Sequence, residues 1–265
     1  MNPSLTPSLH RVPDLDLVTH PDRQLHFEGA FNFRDLGGYR GRAGQTVRWR
    51  TVYRADALHR LPDDELDQLA AMGVRSVLDL RTVSEVEQGC LRCDHLGIVL
   101  HHMPVLGEVW EPRRLDADAD AGDVLGSLYV DMLGVGAPAL AGSLRVLADR
   151  RQVPAVFHCA GGKDRTGVLA AVLLALLGVD DDVIVADYAL TAVTMTRLVA
   201  RLRRDRPEAL TAMEDQPPAY LATPPEAMRR VLDHVRREHG SMVGYVRSIG
   251  LELEVVEALH AALLV

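Results

Sequence analysis

The chain has 265 residues, 48% of them hydrophobic and 25% charged, which suits one large α/β domain or a small pair. Its formal net charge of −8 argues against a nucleic-acid partner, and its three cysteines exclude a disulfide scaffold. No apolar run reaches the length of a membrane span, the stretch VLAAVLLALLGV at 168–179 being too short, so an integral membrane protein is not expected.

Residues 1–26 contain Pro and His in a weak pattern and read as an irregular arm. They show no cationic start followed by an apolar core, so no secretory signal is visible and a cytoplasmic protein is expected. A single domain over 27–265 follows. YRGRAGQTVRWRTVYRA (39–55) alternates around a Gly-rich turn and predicts a hairpin. LPDDELDQLAAMG (61–73) predicts a short helix with acids in its first turn and Gly73 as its stop. VRSVLDLR (74–81) and GIVLHHMPV (97–105) read as strands.

Residues 107–123 are polar and aperiodic and predict a mobile loop. Residues 124–151 predict one helix leading into a buried strand, VPAVFH (153–158). TGVLAAVLLALLG (166–178) is a buried helix stopped by Gly178, and a long helix is expected near 180–204. AMRRVLDHVRRE (227–238) places Met228, Val231, Leu232 and Val235 on one face and is amphipathic. These elements predict an α/β fold: a central parallel or mixed sheet with helices on both faces and a site at the carboxyl ends of its strands.

The chemistry concentrates in HCAGGKDRTG (158–167), a strand-to-helix turn that sets Cys159 six residues before Arg165. Gly161 and Gly162 free the backbone, and a tight turn entering a helix aims several N–H groups at one spot. Such a nest, built from Ala160, Gly161, Gly162, Lys163, Asp164 and Arg165, binds a tetrahedral oxyanion. The same donors and the neighbouring cations favour a thiolate at Cys159. Arg165 can grip two equatorial oxygens with its planar fork, and the Thr166 hydroxyl can donate to the cysteine sulfur. The set suits covalent phosphoryl transfer through a phosphocysteine, with no cofactor required.

Rival readings explain less. A Walker loop needs Gly five residues before the Gly of its Gly-Lys pair and Ser or Thr after the Lys; Phe157 and Asp164 break that pattern. A sulfurtransferase has no need of the arginine. His158 points to the opposite side of the strand from Cys159, so the pair is weak evidence for zinc, and no metal is expected.

The loop resembles the signature of the cysteine-dependent tyrosine and dual-specificity phosphatases, and its Lys-Asp pair resembles a bacterial subfamily of tyrosine and phosphoinositide phosphatases. FNFRDLGGY (31–39), VYRADAL (52–58), VLDLRTVSEVE (77–87), DDVIVADY (181–188) and GSMVGYVRSIGL (240–251) extend the resemblance in order along the chain. It implies the phosphatase fold, a phosphorylated protein or phosphoinositide substrate, and catalytic parts for Cys159, Arg165 and Asp164, with His158 and Thr166 in support. It also implies that Arg34 and Asp35 brace the loop, where a turn set by Gly37 and Gly38 is the plainer account. Arg81 and Glu85 are implied near the pocket; a solvated helix start is the alternative. The family includes members exported without a visible signal.

Four features stay open on the sequence. The general acid is expected from an aspartate after the HHMPV strand, but Pro104–Gly107 offers none, which leaves Asp164 ahead of Glu108, and Asp131 behind both. Lys163 is the only lysine among 29 basic residues, a place where a compact ammonium could reach a second phosphate on an inositol ring. Cys90 and Cys93 form a lone CLRC pair, read as structural or surface cysteines over a redox switch. Met195 and Leu198 suit core packing over a lipid-facing patch. A phosphate-binding scaffold with little turnover is the competing class, although such a chain would be expected to have lost Cys159 or Arg165.

Overall fold

Short β-branched and aromatic runs build the sheet because their side chains pack on both of its faces. The computed structural model describes residues 15–93, 95–109, 120–205, 207 and 221–265. Five strands form one mixed sheet: β1 (Arg34–Asp35), β2 (Val52–Ala55), β3 (Ser76–Asp79), β4 (Val99–His102) and β5 (Ala155–His158). Their order is β1-β2-β5-β3-β4, with β1 antiparallel to β2 and the other pairs parallel. The central strand is thus β5, which leads into the signature loop.

Alternation along the strands feeds two cores. Val52, Leu78, Ala155 and Phe157 join the larger one, which also takes Cys159. Tyr53, Ala55, Val77 and Val156 point the other way, into a smaller core with Leu66 and Leu69 of α1 (Asp63–Ala71). The larger core lies under α3 (Ala121–Val135), α4 (Ala137–Ala148), α5 (Asp164–Leu176), α6 (Asp181–Ala189), α8 (Pro225–His239), α9 (Met242–Ser248) and α10 (Leu253–Leu263). A short α2 (Val83–Glu87) follows β3, and α7 (Thr191–Asp205) follows α6. Helix α5 is buried all round, as its unbroken Ala/Leu/Val composition requires. Helix α8 buries Ala227, Met228, Val231, Leu232 and Val235, the apolar face expected of it.

Several elements differ from expectation. The hairpin over 39–55 is not regular. Residues 40 and 46 make one isolated bridge around a turn with Ala43 in the left-handed region, and β2 pairs with β1 instead. The single helix over 124–151 is two helices bent by 74° at Gly136. A side chain at Gly136 would meet Val105 Cγ1 at 2.6 Å, and Pro138 opens the second helix. The helix near 180–204 is likewise split at Leu190 into α6 and α7. In the expected loop over 107–123, residues 121–123 belong to α3, capped by Asp120; residues 110–119 lie outside the described residues.

The expected arm reaches the core through Arg23. Its buried guanidinium lies 3.8 Å over the Tyr39 ring and donates to the Leu17 and Asp35 carbonyls. Residues 1–14 lie outside the described residues. Cys90 is exposed and Cys93 buried, its thiol 3.7 Å from the Ile98 carbonyl. Met195 is half-buried; the side chain of Leu198 lies outside the described residues. No single helix among the described residues is long and apolar enough to cross a membrane; the bent α3–α4 pair passes on length and composition together.

Candidate active site

Strand β5 ends at His158 and α5 begins at Asp164, so Cys159 to Lys163 form the turn between them. The first N–H groups of α5 have no intrahelical acceptor and face this turn. Cys159 is 1% exposed at its floor. Gly162 has φ +64°, and a Cβ there would lie 2.6 Å from the Ala55 carbonyl oxygen and 2.8 Å from Asn32 Nδ2. Only glycine fits that position. The Ala57 N–H donates to the Ala160 carbonyl and ties β2 to the loop at 3.1 Å. Thr166 is fully buried, but its hydroxyl has no hydrogen-bond partner, so the expected contact with the cysteine sulfur is not formed. His158 is buried behind the loop, its Nδ1 3.2 Å from the Cys159 carbonyl, and burial lowers its pKa and favours the neutral ring.

Arg165 is held by Glu85. Its Nη1 and Nη2 lie 2.5 and 2.9 Å from the two Glu85 oxygens, an end-on fork. This arrangement engages one edge of the guanidinium and leaves the Nε side for a second partner. Glu85 is fixed in turn by the start of α2. Thr82 Oγ1 accepts from the Glu85 N–H and the Thr82 N–H donates to Glu85 Oε2 at 2.8 Å, a capping box. Burial pushes the Glu85 carboxyl up, but Arg165 and Thr82 outweigh it and hold it below the usual range.

Arg81 is not solvated; it supports the segment that carries Glu85, its Nη1 donating to the Glu85 carbonyl at 3.2 Å. It is 1% exposed and turned back onto Asp79, with Nη2 2.6 Å from Asp79 Oδ2, and onto the Gly89 carbonyl at 3.0 Å. Its part is to pin the β3–α2 turn that presents Glu85.

Beneath the loop lies a polar layer that connects four elements. Asn32 Nδ2 donates to the Gly162 carbonyl at 2.9 Å and to that of Gly161 at 3.3 Å. Arg54 Nη2 donates to the same Gly162 carbonyl at 2.8 Å. Asp187 on α6 accepts from Arg54 Nη1 at 2.7 Å, Arg34 Nε at 3.1 Å and the Tyr39 hydroxyl at 3.0 Å. Arg34 Nη1 closes the circuit on Asn32 Oδ1. Burial opposes the Asp187 charge, yet Arg34 and Arg54 hold its carboxyl well below the usual range.

Arg34 therefore braces the loop, as expected. Asp35 instead caps a turn, accepting from the Gly37 and Arg50 N–H groups at 2.7 Å each. Asn32, Arg54 and Asp187 lie within the segments FNFRDLGGY, VYRADAL and DDVIVADY, but the sequence alone assigns them no part.

The acid candidates separate. Asp164 Oδ1 accepts from the Tyr129 hydroxyl at 2.5 Å and lies 3.3 Å from Lys163 Nζ, itself 3.1 Å from the Ala222 carbonyl. Glu108 is exposed, beyond the carboxyl end of β4. Asp131 is exposed and lines a cleft between α3 and α8 that none of the loop residues line. Among the described residues, no three His, Cys, Asp or Glu side chains converge as metal donors.

Residues 25–265 match the tyrosine phosphatase family. The chain belongs to that family. A tyrosine-protein phosphatase of Nostoc commune is 30% identical over 221 residues, which span 79% of this chain and 73% of the relative. The triple specificity protein phosphatase PtpB of Mycobacterium tuberculosis is 28% identical over 279 residues, spanning 89% of this chain and 97% of the relative. The protein is thus a phosphatase, and the loop described above is the place in it to look for the chemistry.

Two expectations follow from the site's supports. Glu85→Gln should keep the fold but loosen Arg165, lowering kcat/KM on an aryl phosphate by about ten- to a hundredfold. Unchanged kinetics would show that Arg165 is placed without Glu85.

Asp56, just past β2, accepts the Phe31 and Asn32 N–H groups on Oδ1 at 2.8 and 2.9 Å, and burial raises its carboxyl to about 6. The native state then holds a proton that the unfolded chain has released, so stability falls as pH rises through about 4 to 6. Asp56→Asn keeps the acceptor without the charge and should be about 1–2 kcal/mol more stable than wild type at neutral pH. That gain should vanish below about pH 4, as read by urea unfolding at both values. A less stable variant at neutral pH would show that the charge is needed.

Proposed function

We propose that the enzyme hydrolyses phosphate monoesters through a phosphocysteine on Cys159. The observation that carries this is the pairing of a thiol on the floor of the α5 N-terminal nest with an arginine fixed end-on by Glu85. The Cys159 sulfur attacks phosphorus, the ester P–O bond breaks, and the departing oxygen takes a proton from an acid. Water then attacks the phosphocysteine, releasing inorganic phosphate and restoring the thiolate. Charge building on the equatorial oxygens meets the loop N–H groups and the free edge of Arg165. Ala160, Gly161, Gly162 and Lys163 contribute that loop, and Thr166 and His158 pack behind it.

Asp164 receives a hydroxyl and an ammonium on one oxygen, which suits orienting substrate better than delivering a proton. Glu108, on the strand end where the family offers its acid, is then the remaining candidate for the proton.

The substrate range extends past phosphotyrosine in this reading. One relative is named for triple specificity, and the single lysine stands beside the catalytic arginine. Lys163 Nζ is buried between Asp164 and the Ala222 carbonyl, so a second phosphate would take the place of that carbonyl.

Cys159→Ser should retain vanadate binding while losing turnover by orders of magnitude, since a serine hydroxyl is not ionised there. Substantial turnover in that variant would sink the phosphocysteine. Lys163→Met should lower efficiency on a bisphosphorylated inositide more than on a phosphotyrosine peptide, by about ten- to a hundredfold in the ratio. Equal losses on both substrates would defeat the phosphoinositide reading.

A further inference from the structure

The charges around Cys159 do not balance evenly. Arg165 is matched by Glu85, and Lys163 lies beside Asp164. His158 is driven toward its neutral form by burial, and behind it Arg81 is matched by Asp79. In the layer beneath the loop, however, Arg34 and Arg54 share the one carboxylate of Asp187. All three side chains are at most 1% exposed, so water screens none of them. Two guanidiniums against one carboxylate leave one positive charge buried under the nest. Arg23, the next cation outward, is supported by Asp187 as well as Asp35, so it brings no further anion to the layer.

Arg54 is the member of that layer that grips the loop directly, from the sheet face that also carries Cys159. It projects from β2, which pairs with β5 so that Arg54 stands beside Phe157 and Ala55 beside His158. Its Nη1 goes to Asp187 and its Nη2 to the Gly162 carbonyl, but its Nε is buried with no hydrogen-bond partner. Burial and Arg34 together lower its pKa to about 10, while Asp187 and the Cys159 sulfur support its charge. A buried cation with a surplus donor is stabilised by an anion nearby, and the Cys159 thiol is a group that can become one.

We propose that Arg54, set by Asp187, is a positioning residue whose surplus buried charge holds Cys159 in its thiolate form. This deepens the reading of Cys159 as the reacting thiolate and assigns the thiolate's support to a cation that does not touch substrate. Arg165 is then left to serve the phosphate. Asn32 shares the grip on Gly162 but carries no charge, so it shapes the loop without setting the ionisation.

Alkylation of Cys159 by iodoacetamide across pH tests this directly, with the Cys159 peptide followed by mass spectrometry so that exposed Cys90 does not interfere. Turnover is not involved, so a failed Cys159→Ser result would overturn the phosphocysteine and leave this measurement standing. Arg54→Gln keeps a donor for the Gly162 carbonyl but removes the charge. Its alkylation rate at neutral pH should fall about tenfold and recover at high pH, the profile moving up by about one unit. Asp187→Asn removes the counter-charge and should move the profile the opposite way. Asn32→Ala should leave it in place, and Arg54→Lys should keep it near wild type. Thermal melts establish that each variant is folded. A profile unmoved by Arg54→Gln overturns the proposal. So does a shift of the same sign in Arg54→Gln and Asp187→Asn, which is what a loosened loop would give. If Asp187→Asn does not fold, the contrast between Arg54→Gln and Arg54→Lys decides, equal shifts overturning the role of charge.

Discussion

The Gly162 carbonyl is the point on which the site turns. It accepts from Asn32 and from Arg54; Asp187 anchors Arg54 directly and Asn32 through Arg34. A backbone carbonyl buried under a loop needs donors or it costs stability. Here the donors come from the segment before β1, from β2 and, through Asp187, from α6. The loop's conformation is therefore not set by its own sequence alone. Gly162 supplies a left-handed φ and the room for close approach, and three distant elements supply the grip.

Such a layer is not an efficient way to gain stability. Desolvating two guanidiniums and a carboxylate costs several kcal/mol each before their attraction is counted, and an apolar packing of the same volume is often no worse. What the charges supply is definition. A carboxylate accepting from Arg34, Arg54 and Tyr39 at once has one arrangement that satisfies all of them. The same logic governs Glu85, which meets Thr82 and Arg165 together, and Asp79, which holds Arg81 behind it. Three carboxylates on three elements thus fix four arginines around one turn.

This explains which parts of the molecule could be read from sequence. The strands, α5 and the turn between them are specified locally: β-branched runs, an Ala/Leu stretch, two glycines and a Cys and an Arg six apart. Elements whose boundary depends on a neighbour were read as continuous. The α3–α4 bend has a local sign in Gly136 and Pro138, but its cause is the contact of Gly136 with Val105, some thirty residues away. The support layer was harder still. Asn32 and Gly162 are separated by 130 residues, Arg54 and Asp187 by 133. Nothing in a single sequence pairs residues over that distance; an arginine in a strand reads as a surface residue until the fold encloses it. Glu85 is ambiguous along the chain for the same reason, since a capping glutamate and an arginine-holding glutamate have the same local sequence.

The division of labour among the arginines gives the site its asymmetry. A guanidinium has five N–H donors on more than one edge. Glu85 takes the end-on pair of Arg165, which fixes the plane of the group while leaving the Nε edge toward the nest. A lysine in that place would have to spend its few donors on the same carboxylate and would have no plane to orient. The charge that Arg165 brings is matched by Glu85, so any net positive potential at the loop must come from elsewhere. The helix terminus supplies part of it, and the unevenly compensated pair of Arg34 and Arg54 supplies a full charge from below. One arginine is thus placed to be geometrically specific and electrostatically quiet, and another to be charged and out of reach of substrate. That separation gives one small turn both a guanidinium of fixed orientation at its side and a buried positive charge beneath it.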